Sequence, residues 1–166
     1  MTTTAIDTRF FRAGVGTIIY NQSGQVALFE RAQYPVGIWQ FQQGGIDLGE
    51  DPETTLWREL REEVGLVPDD IATVTPYPHW TVHTTSESMA DPDKPRLGQA
   101  HTWFFLELKA DRTIDLSKAS EHEASNWRFA SFAAAISETE PHKKHVYQEL
   151  EAFFIENIVP TLSETA

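Results

Sequence analysis

Cysteine is absent from all 166 residues, so disulfides, thiolate metal sites and cysteine nucleophiles are excluded together. No run approaches the ~20 apolar residues that a bilayer-spanning helix needs. The start, Met1-Thr2-Thr3-Thr4-Ala5, lacks the basic segment and apolar stretch of a secretory signal. A cytoplasmic location without a membrane partner is the expectation. Positive charge is also scarce: 13 Lys and Arg stand against 25 Asp and Glu, a formal charge of −12. Affinity for a phosphate backbone needs clustered cations, so no general nucleic-acid surface, and no DNA partner, is expected. An anionic substrate would have to approach an acidic molecule, and divalent cations held by carboxylates would invert that field locally. What is present is ordinary: with 40% hydrophobic and 23% charged residues the composition is that of a soluble globular domain. The length suits one domain over 1–166, with loose ends at 1–12 and 160–166.

Along the chain, Ala13 to Tyr20 (AGVGTIIY) is short, apolar and β-branched, and Asn21-Gln22-Ser23-Gly24 turns it into a second strand from Gln25 to Phe29. Ile38 to Phe41 reads as a short strand and Gly44-Gly45 as a forced turn. Asp51-Pro52 opens a helix, since Asp is a favoured N-cap and proline suits the first helical position. Leu56, Leu60 and Val64 follow at four-residue spacing, and Gly65 stands where a helix commonly stops. Further strands are predicted at Ile71–Thr75, Trp80–Thr84, Gln99–Leu108 and Trp127–Ala130, with a polar loop from Thr85 to Arg96. A last helix is predicted from Lys143 to Ile158, where Val146, Leu150, Phe153 and Phe154 form a stripe ended by Pro160. Strands, helix, strands, helix is the order of an α+β sandwich with a mixed sheet.

The chemistry is concentrated in Gly44 to Leu66, GGIDLGEDPETTLWRELREEVGL. On a helix, Glu59, Glu62 and Glu63 fall at i, i+3 and i+4, on one arc beside the Leu56-Leu60-Val64 ridge that must face the core. Three like charges so placed destabilise the helix and raise one another's pKa unless a cation sits among them. Mg²⁺ suits such a place, because it takes hard oxygen ligands and bridges to phosphate oxygens. A bare E-x-x-E-E is by itself an ordinary solvated acidic face.

What distinguishes this stretch is its fuller pattern: Gly44, five residues, Glu50, seven residues, Arg58-Glu59-Leu60, one residue, Glu62-Glu63, one residue, Gly65-Leu66. That pattern resembles the Nudix box position by position. The resemblance implies an α/β/α sandwich with a mixed central sheet and a Mg²⁺-dependent hydrolase, with Mn²⁺ as a substitute, that cuts a phosphoanhydride by metal-activated water. It places Gly44, Glu59, Glu62, Glu63 and Glu123 as metal ligands. It assigns catalysis to Glu62, Glu63, Arg58 and Glu123, with Arg58 fixing a glutamate through a charge-assisted hydrogen bond. Which glutamate accepts the proton stays open among Glu62, Glu63 and the distant Glu123.

Outside the box, Trp39-Gln40-Phe41-Gln42-Gln43-Gly44-Gly45-Ile46 is similar to the W-Q-F-P-Q-G-G-I segment of bacterial RNA pyrophosphohydrolases and dinucleoside polyphosphate hydrolases, with Gln42 in place of proline. Gly98-Gln99 with Trp103-Phe104, Glu123 four residues before Trp127-Arg128, and His142-Lys143-Lys144-His145-Val146-Tyr147 extend the likeness. By resemblance the substrate contacts are Arg31, Gln40, Gln43, His83 and Lys143, with His83 as a stacking ring where relatives have tyrosine. Trp39, Phe41 and Trp103 read equally as core or as substrate contacts. The loop after Trp80 has only Lys94 and Arg96 as cations against Glu87, Asp91 and Asp93, which favours a small nucleotide over long RNA. The leading expectation is therefore hydrolysis of a dinucleoside polyphosphate such as diadenosine tetraphosphate. The alternatives are removal of pyrophosphate from an RNA 5′ end and a noncatalytic nucleotide-binding module, the latter opposed by the intact Arg58-Glu59 and Glu62-Glu63 set.

Overall fold

The computed structural model describes residues 10–84 and 96–163. Among these residues eight strands form one mixed sheet. At its centre β1 (Phe10–Tyr20) runs parallel to β7 (Arg96–Leu108), and every other pairing among the described residues is antiparallel. β2 (Val26–Arg31) pairs with β1 at Tyr20 and Val26, and also with β3 (Trp39–Gln40) and β8 (Ala124–Ala130). β4 (Gln42–Gly45) pairs with the first half of β1. On the far side, β5 (Ile71–Pro76) and β6 (Thr81–Thr84) pair with successive parts of β7.

Side chains alternate across a strand, and each face of the sheet has its own core. Val15, Ile19, Ala27, Phe29 and Leu106 pack on one face against Leu56, Leu60 and Val64, which belong to α1 (Pro52–Glu59) and the turn that prolongs it. Ile18, Tyr20, Leu28, Trp103 and Phe105 pack on the other face. There they meet α2 (Phe132–Glu138), α3 (Lys144–Phe153) and a wide turn, Phe154–Ile158, that leads into α4 (Val159–Ser163). The result is the expected α/β/α sandwich.

Several expectations need correction. Gly44 and Gly45 lie in β4 and neither has a positive φ. Glycine is required there by close approach, since a Cβ at Gly44 would overlap the Glu59 carboxylate and one at Gly45 the Arg12 guanidinium. Residues 10–12, expected to be loose, open β1, while the loop from Thr85 lies outside the described residues up to Arg96, where β7 begins. Pro160 does not end the last helix, which runs on through Ser163. The proline falls in the first turn after a π-type turn, where its missing N–H is tolerated. α2 was not expected: its seven residues are too few to show a period, although Ser131 caps it by accepting from Ala134 N–H at 3.1 Å. Phe41 and Trp103 are core residues. Trp39 packs against that core beneath the Arg128 guanidinium, 4.5 Å from its ring centroid.

Candidate active site

α1 begins as expected. Asp51 accepts from Thr54 N–H at 2.7 Å, Pro52 takes the first helical position, and Leu56, Leu60 and Val64 are fully buried. The regular α-helix stops at Glu59, however, and Leu60–Val64 forms a π-type turn closed by Gly65 at φ 77°. Gly65 N–H bonds back to Leu60 O, and the Glu62 carbonyl accepts from Glu121 N–H at 2.8 Å. A helical carbonyl drawn off to an outside donor accounts for the widened turn. It also docks the 119–123 loop beside the helix glutamates.

Arg58 organises the acidic group. Its Nε and Nη2 grip Glu50 in a fork at 2.7 and 2.8 Å, Nη1 donates to Glu59 at 2.7 Å and to Glu62 at 3.2 Å, and Nη2 also reaches the Gly45 carbonyl at 3.0 Å. A planar guanidinium has the five donors that these bonds require; an ammonium has only three. The Arg58 hydrogen bonds, helped by the Thr55 hydroxyl, hold the Glu50 carboxyl down at about 2. Arg58 is itself stabilised in its charged form, chiefly by Glu50.

Glu59 is buried and its carboxyl is pushed up by that burial, against the pull of Arg58. Burial likewise raises Glu63 to about 7, opposed by a hydrogen bond from Gln42 and by the Arg31 charge. Carboxylate oxygens of Glu63, Glu121 and Glu123 come within 4.8 Å of one another. Glu123 also forms an ion pair with Arg31.

These groups line a cleft of about 240 Å³. Arg58, Glu59, Glu62, Glu63, Glu123, Arg31, Gln43, Gly44 and Lys143, all singled out from the sequence, meet there. Lys143 is buried, donates from Nζ to Gln40 Oε1 at 2.8 Å and lies 3.4 Å from Glu140; burial lowers its pKa. Gln40 stands behind that lysine rather than on the cleft wall. His83 does not line the cleft either. It is 5% exposed, and its ring stacks on His101 at 5.6 Å between centroids and lies 5.5 Å from His142. A ring so enclosed offers no open face to a base. Burial holds His83 down at about 4 and His101 at about 3.

The cleft also contains residues that sequence reasoning did not single out: Arg12, Tyr34, His101 and Glu121. Arg12 stands at the open end of β1 over Gly45, and Tyr34 lies between two cations, 5.7 Å from Arg31 and 6.0 Å from Lys143. Glu121 lies before β8 rather than within it, so no strand alternation ties it to Glu123, and it reaches the cleft through its backbone bond to Glu62.

Residues 10–150 match the NUDIX domain family. The chain is 38% identical over 148 residues to the RNA pyrophosphohydrolase of Pseudoalteromonas translucida (strain TAC 125), covering 87% of this chain and 85% of that one. It is 37% identical over 158 residues to the RNA pyrophosphohydrolase of Shewanella sediminis (strain HAW-EB3), covering 93% and 91%. Among solved structures, the dihydroneopterin triphosphate pyrophosphohydrolase of E. coli superposes with a TM-score of 0.67 at 20% identity, covering 85% of this chain and 97% of that one. An Ap4A hydrolase of C. elegans in a binary complex gives 0.61 at 20% identity, covering 86% and 98%. At that identity the likeness is one of fold.

Proposed function

The chain belongs to the Nudix family and is a pyrophosphohydrolase, and on that premise we propose that it removes pyrophosphate from the 5′ end of triphosphorylated RNA. The observation that carries this reading is the 37–38% identity, over about nine-tenths of the chain, to proteins named RNA pyrophosphohydrolase. It displaces dinucleoside polyphosphates, expected from the sequence, to second place. Those keep one argument of their own, the net charge of −12 with few cations in the loop after Trp80.

The donor set fits a hard divalent cation, Mg²⁺ with Mn²⁺ as substitute. Several carboxylates converge on one cleft, two of them with pKa values raised by burial, and a cation would relieve both. Glu59, Glu63 and Glu123, with the Gly44 carbonyl, would hold it, and Glu121 adds a further carboxylate. When bound, Mg²⁺ polarises phosphoryl oxygens and acidifies water.

The chain's own residues do the rest. Arg58 keeps Glu59 and Glu62 in fixed orientations, so little reorganisation accompanies the reaction. Arg12, Arg31 and Lys143 bring positive charge to the cleft wall for the phosphates. Water adds to phosphorus, the anhydride P–O bond between the α and β phosphates breaks, and pyrophosphate and the 5′-monophosphate end separate as anions. The proton passes to a carboxylate. Glu62 lies outside the converging Glu63-Glu121-Glu123 trio, and Arg58 holds it at the longest of its carboxylate hydrogen bonds, so we assign the proton to Glu62.

Parallel assays with Mg²⁺ on a 5′-triphosphorylated oligoribonucleotide and on diadenosine tetraphosphate test the substrate. The expected result is a higher kcat/KM on the RNA, with inorganic pyrophosphate released. A higher value on diadenosine tetraphosphate would overturn the proposal in favour of the second reading.

A further inference from the structure

Position 42 is where this chain departs from the W-Q-F-P-Q-G-G-I pattern, with glutamine in place of proline. In the structure the substitution is put to use. Gln42 of β4 stands directly opposite Thr17 of β1, and opposed residues of an antiparallel pair put their side chains on one face. That face is the one that carries α1, because Thr17 shares it with Val15 and Ile19. Gln42 and Thr17 are 4% and 1% exposed. Thr17 Oγ1 donates to Gln42 Oε1 at 2.7 Å, and Gln42 Nε2 donates to Glu63 Oε2 at 3.1 Å.

The direction of this relay is set by its chemistry. With Glu63 ionised, as a metal ligand is, a turned-over amide would set its oxygen against a carboxylate oxygen with no proton between them. The threonine hydroxyl, by donating to Oε1, leaves Nε2 as the only group for Glu63 to meet. Buried amides are costly unless both ends are bonded, and here both are. A proline at 42 would have neither contact to offer.

We infer that Gln42, oriented by Thr17, is a positioning residue for Glu63: it takes up one carboxylate oxygen, fixes the plane of the group, and leaves the other oxygen for the divalent cation. This rests on the reading above in which Glu63 is a metal ligand. It assigns to two buried neutral residues the outer-shell role that orients ligands in metal sites.

The test is Mn²⁺ affinity, measured by calorimetry on the metal-stripped full chain, with kcat on triphosphorylated RNA and thermal melts alongside. Gln42→Met keeps the volume and removes both bonds, and should raise the Mn²⁺ Kd about 10- to 100-fold. Thr17→Val removes only the orienting donor and should raise it less, about 2- to 10-fold. In the double variant Thr17 has nothing left to act through, so its Kd should equal that of Gln42→Met alone. The double variant also pairs apolar with apolar, which keeps the comparison available if Gln42→Met folds poorly. A merely structural role would lower the melting temperature with Mn²⁺ affinity unchanged, and additive effects in the double variant would break the relay. Glu63→Gln separates the two levels. If it leaves Mn²⁺ affinity intact, Glu63 is not a ligand and both readings fall; if it weakens affinity while Gln42→Met does not, the positioning inference alone is overturned.

Discussion

Arg58 shows what one side chain contributes to the site. Its five donors are spread over Glu50, Glu59, Glu62 and the Gly45 carbonyl, so it both neutralises the acidic group and sets its shape. Lysine would preserve the charge but lose the fork, and its ammonium could serve at most part of this set. Arg58→Lys is therefore expected to lower activity about 10- to 100-fold, mainly through kcat, because ligand orientation rather than substrate contact is lost. Steady-state kinetics with Mg²⁺ check this, and a kcat close to that of the parent would contradict the role. These box residues were legible in the sequence because they stand at fixed spacing within the single stretch Gly44 to Leu66. Arg12 and Glu121 were not, since they reach the cleft through the β1–β4 register and a backbone bond from Glu121 to Glu62, which no local pattern encodes. Gln42 was noticed as a departure, yet its partner Thr17 lies 25 residues away in sequence.

At the level of elements, the junction of β6, β7 and the 3₁₀ turn Pro141–Lys143 buries a row of imidazoles. His83 and His101 are held at about 4 and about 3 by burial and by neighbouring cations, Lys143 foremost for His83 and the His83 ring for His101. His142 and His145 also face His83, and Arg12 acts on His101. The unfolded chain protonates these rings near their ordinary 6.5, so below that pH it binds protons that the folded chain refuses. Folding stability tied to these rings is thus complete above 6.5 and falls on acidification. The loss is on the order of 1–2 kcal/mol per ring by pH 5. Glu63, raised to about 7, acts in the opposite sense over part of this range, so the comparison must be with a variant. His101→Gln should flatten the stability difference between pH 7 and pH 5 in denaturant titrations; an unchanged difference would refute the assignment. Of the elements themselves, the amphipathic α1 and the β-branched strands were readable from period and caps. The π-type turn at Leu60–Val64 was not, because it answers to Glu121, and α2 was too short to declare itself.

For the molecule as a whole, the net charge of −12 has to be reconciled with a substrate that is itself a polyanion. The cations that line the cleft, Arg12, Arg31, Arg58 and Lys143, are few. Arg58 is committed to glutamates, Arg31 pairs with Glu123 and Lys143 lies near Glu140. On the proposed reading such a site holds the phosphates at one end of the substrate, and the cleft offers no cationic track among the described residues for the nucleotides that follow. Backbone affinity scales with the number of phosphates neutralised, and each contact adds to the salt dependence. A site confined to the 5′ end therefore gains little from a longer substrate. The KM for 5′-triphosphorylated RNA is expected to change little once the first few nucleotides are present, and its logarithm to depend only weakly on that of the salt concentration. Oligonucleotides of graded length, assayed at several salt concentrations with Mg²⁺ fixed, measure both quantities. A KM that keeps falling with length, steeply reversed by salt, would require a basic surface that this charge distribution does not supply, and would overturn the end-restricted picture.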